Sequence, residues 1–267
     1  MTKTGKISLL ILLLISLLSA FAPYFSGYAP DRIDLDSLRE PPGSHHLLGT
    51  DNKGRDILSR ILYGGRISLG IAITAALLSL GIGLIAGVSS GYFGGRVDTV
   101  IMAFVDLILS FPALLLAIAI SVILPPGVFT VTIAIVSVGW ASFARLVRGH
   151  ILTMRESGFV ESAKAIGCGD CRILRVHLLP QCIPLVLVMT GMKLGGFILT
   201  EASLSFLGLG AQPPAATWGS MVSTYRAYIS SAPWMVMFPG LIIAVTALCF
   251  NILGDSLREK FGVEIKG

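Results

Sequence analysis

The chain has 267 residues, 54% of them hydrophobic and only 13% charged. A soluble domain carries about a quarter charged residues, so this apolar excess is too large for one buried core and must largely face lipid. The net charge of +5 is dispersed, with no aromatic-interleaved basic patch of the kind that binds nucleic acid.

A spanning helix needs about 20 mainly apolar residues. Six runs meet that requirement: Ile7–Phe25, Ile67–Phe93, Thr99–Leu124, Val128–Val147, Ile183–Leu207 and Val236–Leu253. Backbone groups in lipid must be satisfied within the segment, so the expected fold is an all-α membrane protein with six transmembrane helices. Lys3 and Lys6 before the first run resemble the start of a signal peptide. The continuous apolar length that follows favours a retained anchor.

The next stretch has two parts. Asp31 to Ser44 is polar and irregular, whereas Asp51 to Arg66 reads as a short amphipathic helix with Ile57, Leu58, Ile61 and Leu62 on one side. Asp51 is its expected cap. The organisation expected is 1–66 as anchor plus amphipathic segment, 67–257 as a five-helix core with an inner loop at 148–182, and 258–267 as a tail. Pro125, Pro126 and Gly127 predict a tight turn between the third and fourth runs. Trp218, Tyr225 and Trp234 in the last outer loop suit a membrane interface.

Within this frame, Gly49-Thr-Asp-Asn-Lys-Gly54-Arg-Asp56 has the glycine separation of a P-loop. Arg55 and Asp56 stand where phosphate binding needs Lys and Ser or Thr, so nucleotide binding is rejected there. No catalytic constellation is present. His45 and His46 are adjacent and give at most a weak metal site. Cys168 and Cys171 form a C-x-x-C with no second pair or His cluster to complete a zinc site. No catalytic, cofactor or metal residue is expected in this chain.

Asp106, Lys193 and Glu201 are ionisable residues inside apolar runs. Intramembrane charge is costly and tends to face a bundle interior or a water path, so these three are candidates for a polar translocation path. Helix-end snorkelling is the bland alternative. For Asp106, hydrogen bonding between helices is favoured. Lys193 and Glu201, eight residues apart, share a helix face but cannot touch. Gly83, Gly87, Gly91 and Gly95 recur every four residues, as Gly191 and Gly195 do; close helix packing is the preferred reading.

Orientation follows the positive-inside rule. With the N-terminus inside, the inner segments hold 12 Lys and Arg and the outer loops seven, so both termini are expected in the cytoplasm. The inner loop then contains Val160 to Pro180, a polar stretch punctuated by Gly167 and Gly169. Val160–Ile166 predicts a short helix ended by Gly167. A second, Cys171–Leu178, is expected to close at Pro180. Two short helices joined by glycines make a protruding knob that could enter a groove on a partner.

The spacing of this loop is specific. Glu161, Ala163, Gly167, Leu179 and Pro180 fit the E-A-A, three residues, G, nine residues, I-x-L-P pattern, with Ser162 and His177 as departures. Further stretches lie in matching order: His46 to Arg60, Glu201-Ala-Ser-Leu-Ser-Phe-Leu-Gly-Leu-Gly210 and Asn251 to Arg258. Together they make the chain resemble the second (C-type) permease of dipeptide, oligopeptide or nickel ABC importers. That resemblance implies a type I ABC importer permease-like bundle and a heterodimer with a homologous permease. It also implies two cytoplasmic ATPases, which carry the ATP and Mg, and an extracytoplasmic substrate-binding protein. It makes Glu161, Ala163, Gly167, Leu179 and Pro180 the ATPase-coupling residues. The rival reading from the residues is an ion-coupled secondary transporter working alone through Asp106 or Glu201.

Overall fold

The computed structural model describes residues 2–262. Met1 and residues 263–267, including Lys266 of the expected tail, lie outside the described residues. In chain order the helices are α1 (Lys3–Ala20), α2 (Ala22–Phe25), α3 (Ile57–Phe93), α4 (Gly95–Leu109), α5 (Ala113–Ile123) and α6 (Val128–Arg155). Then follow α7 (Gly158–Ala165), α8 (Asp170–Arg172), a π-helical stretch over Ile173–Leu178, α9 (Leu179–Phe206), α10 (Trp218–Tyr225) and α11 (Trp234–Phe261).

Five helical stretches are long and apolar enough to cross a membrane by themselves: α1, α3, α6, Asp170–Phe206 and α11. The expected straight span over Thr99–Leu124 is instead two helices, α4 and α5, meeting at 91°. Pro112 caps the second helix and removes a backbone donor at the break. The break does not turn the chain back. Asp98 at the start of α4 pairs with Arg148 near the end of α6. Beyond α5, Gly127 N donates to Leu209 O just past the far end of α9, at 3.2 Å. The α4–α5 pair therefore runs from one end of the bundle to the other, and the described chain makes six crossings.

Both ends of the described chain lie at one end of the bundle. Thr2 N donates to Ser256 Oγ at 3.0 Å. Helix α11 runs antiparallel to α9, with Gly254 against Gly191 and Ala247 against Gly195, so its C-terminus sits beside the start of α9. That is also the end from which residues 156–178 protrude.

The amphipathic segment differs from expectation. No separate helix covers Asp51–Arg66; α3 begins at Ile57, capped by Asp56, whose carboxylate accepts from Ser59 N at 2.7 Å. It continues unbroken for 37 residues through residue 66 into the second span. Ile57, Ile61 and Leu62 are buried in the protein rather than laid on a surface. For Ile57 and Ile61, Trp218 is the reason: it packs into the same cluster as both, and its Nε1 donates to Ile61 O at 2.9 Å.

The glycine ladder is a packing device. A Cβ on Gly83 would meet Phe143 Cβ at 2.4 Å, and one on Gly87 would meet Ala144 O at 2.6 Å. One on Gly91 would meet Arg148 O at 2.9 Å. The α3 and α6 backbones touch along this line, as small-residue interfaces allow in a membrane. Gly95 stands apart, with open space around it.

Candidate functional site: an anchored knob and a central cavity

The knob is built from the end of α6 outward. Ser157 Oγ donates to Met154 O at 2.5 Å, closing α6. In α7, Val160 and Ala163 turn inward and join Ile151, Met154, Ile173 and Leu178 in a small core. Glu161 is exposed. Gly167 ends the unit with φ +82°, a left-handed backbone that suits glycine. Cys168 N then donates to Ala163 O at 3.0 Å, satisfying a free carbonyl of the last turn.

The second arm is not a short helix closed by Pro180. Residues 173–178 form a π-helical stretch that runs directly into α9. Leu179 N donates to Leu174 O, five residues back. This accommodates Pro180, which has no N–H and whose ring would strike the carbonyl four residues earlier in a regular helix. The knob is therefore continuous with spanning helices on both sides, α6 before it and α9 after it.

Side chains fasten it to a third helix. Tyr92 Oη, at the end of α3, donates to Asp170 Oδ1 at 2.5 Å. Arg155 NH1 donates to Tyr92 O at 3.0 Å. The Lys164 ammonium lies 5.5 Å from the Tyr92 ring centre. Close by, Asp98 accepts from Arg148 and from Ser90, tying α4 to α6 and α3. Outward the knob shows Phe159, Ile166 and Val176, with Ile166 81% exposed. A projection joined to three spanning helices, with exposed apolar residues beside exposed Glu161, Lys164 and Arg172, is suited to receiving force from a partner. Of the residues singled out by spacing, Ala163 is in its core and Glu161 on its surface. Gly167 is at its turn, and Leu179 and Pro180 lie where it joins α9.

The three intramembrane charges occupy different settings. Asp106 pairs with Arg145 across α4 and α6. Glu201 is fully buried; its Oε1 accepts from Ser205 Oγ at 2.7 Å, and Oε2 has no partner among the described residues. Lys193 lines a cavity of about 430 Å³ between the α4–α5 break, α6 and α9, with Phe111, Ser142, Thr200 and Asn251.

At the opposite end the Gly49–Asp56 stretch is a buried polar clasp, which spacing alone did not reveal. Asp51 is fully buried and accepts from Lys53 N at 2.7 Å, Arg55 Nε at 2.7 Å and Tyr225 Oη at 2.7 Å. Burial raises the Tyr225 pKa above the usual phenol range, with Arg60 opposing and Asp51 adding to the rise. His46 Nδ1 lies 2.9 Å from Asp56 Oδ1. Among the described residues no group of three or more His, Cys, Asp or Glu is placed to hold a metal ion.

An all-helical bundle of six crossings with a helical projection between its fourth and fifth crossings is the architecture of importer permeases. Residues 79–262 match the family described as binding-protein-dependent transport system inner membrane component, and residues 2–42 match the N-terminal transmembrane domain of oligopeptide transport permease C. The chain is 43% identical over 259 residues to the glutathione transport system permease protein GsiD of Pectobacterium atrosepticum, covering 97% of this chain and 86% of that one. It is 38% identical over 264 residues to the oligopeptide transport system permease protein OppC of Bacillus subtilis, covering 99% and 87%. Among solved structures, the MetNI methionine ABC transporter in an inward-facing conformation matches 75% of this chain and 95% of its own, with a TM-score of 0.62 at 18% identity. The chain belongs to the binding-protein-dependent permease family, as a C-type permease of the peptide ABC importer group. It is a multi-pass inner-membrane transport subunit and not itself an enzyme; ATP hydrolysis lies in partner ATPases.

Proposed function

We propose that this permease imports peptides, as one half of a heterodimer with a homologous permease, fed by an extracytoplasmic binding protein. Two ATPases carrying ATP and Mg dock on the knob at Glu161–Pro180. Closing of the ATPases moves the knob, and α6, α9 and α3 follow because all three are joined to it. The bundle thereby alternates between outward and inward access. The knob end is cytoplasmic in this reading, in line with the excess of Lys and Arg in its segments, and both termini lie there too.

The observation that carries the proposal is the knob itself, anchored to three spanning helices and exposing Ile166. Peptide cargo is supported by the names of the relatives, which read peptide, oligopeptide and glutathione. Nickel, the other cargo expected from the motif, has no such support among them. The path is proposed to pass the cavity at Lys193, with Asp106 and Glu201 bracing the helices around it.

The test is purification in mild detergent followed by reconstitution. ATPase subunits should co-purify, and uptake of a dipeptide into vesicles should require ATP enclosed in the lumen, where the knob of the import-competent orientation lies. Uptake by this chain alone under an ion gradient would instead establish the secondary-transporter reading.

A further inference from the structure

We infer that Lys193 is an anion anchor in the translocation path, holding the carboxylate of the cargo during passage. This rests on the peptide-import reading and assigns a subsite within it.

A lysine near the middle of a spanning helix must reach a polar setting, because a cation facing hydrocarbon is disfavoured by several kcal/mol. Lys193 does not reach either end of α9; it lines the cavity of about 430 Å³. The cavity opens where α4 breaks from α5 at 91°, so a widening of the bundle and a charge coincide.

The lining has two characters. Phe111 and Phe197 give it apolar walls, while Ser142, Thr200 and Asn251 give it neutral polar groups. No Asp or Glu lines it, and Lys193 makes no ion pair among the described residues. The carboxylates of α4 are already engaged, Asp106 with Arg145 and Asp98 with Arg148. Glu201, two turns along the same helix, is enclosed against Ser205. The ammonium thus faces a space able to hold a small ligand, with three donors and no carboxylate in the lining to neutralise it.

A ligand that fits is small, partly apolar and carries a carboxylate, as a short peptide does at its C-terminus. A bare divalent cation would be repelled by the same ammonium. The small polar groups can accept and donate to peptide amides without fixing a particular side chain, so the subsite would recognise the carboxylate and tolerate varied sequences.

The test uses the whole transporter in proteoliposomes with alanyl-alanine and its C-terminal amide as cargo. The binding protein is supplied at matched occupancy for both, so that its own discrimination cancels. The unaltered transporter should move the acid about ten-fold faster than the amide, the scale of one charge-assisted hydrogen bond. Lys193→Met and Lys193→Gln should move both at the amide's rate, while Lys193→Arg keeps the preference. Lys193→Gln retains a polar side chain of similar length, guarding against a loss that comes only from misassembly. Preserved discrimination in Lys193→Gln, or none in the unaltered transporter, overturns the Lys193 assignment. Failure of the unaltered transporter to move either peptide overturns the peptide reading as well.

Discussion

Tyr92 and Asp170 are 78 residues apart, yet the phenol of one donates to the carboxylate of the other at 2.5 Å. The bond joins the end of the second span to the knob between the fourth and fifth. Tyr92→Phe removes it and keeps the ring. A hydrogen bond to a charged group contributes about 1.5–3 kcal/mol. The expected outcome is an assembled transporter in which more ATP is hydrolysed per cargo molecule moved. Simultaneous measurement of hydrolysis and uptake checks it.

Gly167 tests backbone against bulk. A Cβ there would meet nothing within 4 Å, but its φ is +82°. Substitution therefore acts through backbone strain, not collision. Gly167→Val should cost more than Gly167→Asn, because Asn tolerates the left-handed region and β-branched residues do not. Coupled uptake should fall in the order Gly, Asn, Val, read from initial rates at equal membrane content.

The glycine ladder gives a paired prediction. Gly87→Leu would drive a side chain into Ala144 O, a backbone atom that cannot move aside. Overpacking of this kind costs about 1–3 kcal/mol, and thermal stability in detergent should fall. Gly81→Leu, on the same helix with open space around it, should change little. Thermal unfolding of the two variants side by side distinguishes a packed α3–α6 seam from a loose one.

The clasp at the other end has a pH signature. Burial raises the Tyr225 pKa above the ordinary phenol value of about 10, so the folded protein holds this proton more tightly than the unfolded chain. Stability from the clasp is then fully present below about pH 10 and is lost as pH rises above that value. Tyr225→Phe should lower thermal stability at neutral pH by about 1–3 kcal/mol. The gap from the unaltered protein should narrow above pH 10. A gap that widens there would contradict the assignment.

Much of this was legible in the sequence because lipid imposes simple rules. Run lengths gave six crossings, and the turn at Gly167 followed from a glycine after a short helical pattern. What failed depended on distant neighbours. Ile57 and Ile61 show part of an apolar stripe, but nothing local says that Trp218 covers them. The break at Pro112 had a signal in the proline itself, hidden by apolar residues continuing on both sides. Pro180 reads as a helix stop, and only the π-helical stretch before it lets the helix run on. In the candidate path, Lys193 and Glu201 look alike as charges on one helix. Their separation into a cavity wall and an enclosed interior is set by α5, α6 and α10, which the spacing of two residues does not encode.

In the proposed mechanism the knob meets the ATPase and moves with it. Ile166, 81% exposed at the tip, is the place to probe. With Cys168 and Cys171 replaced by Ser, Ile166→Cys is cross-linked in the assembled transporter, and His45→Cys at the other end serves as control. A knob seated on the ATPase gives a cross-link from Ile166→Cys to the ATPase subunit, changing in yield between nucleotide-free and ATP-bound states, and none from His45→Cys. An assembled, active transporter with no cross-link from position 166 in either state would contradict it.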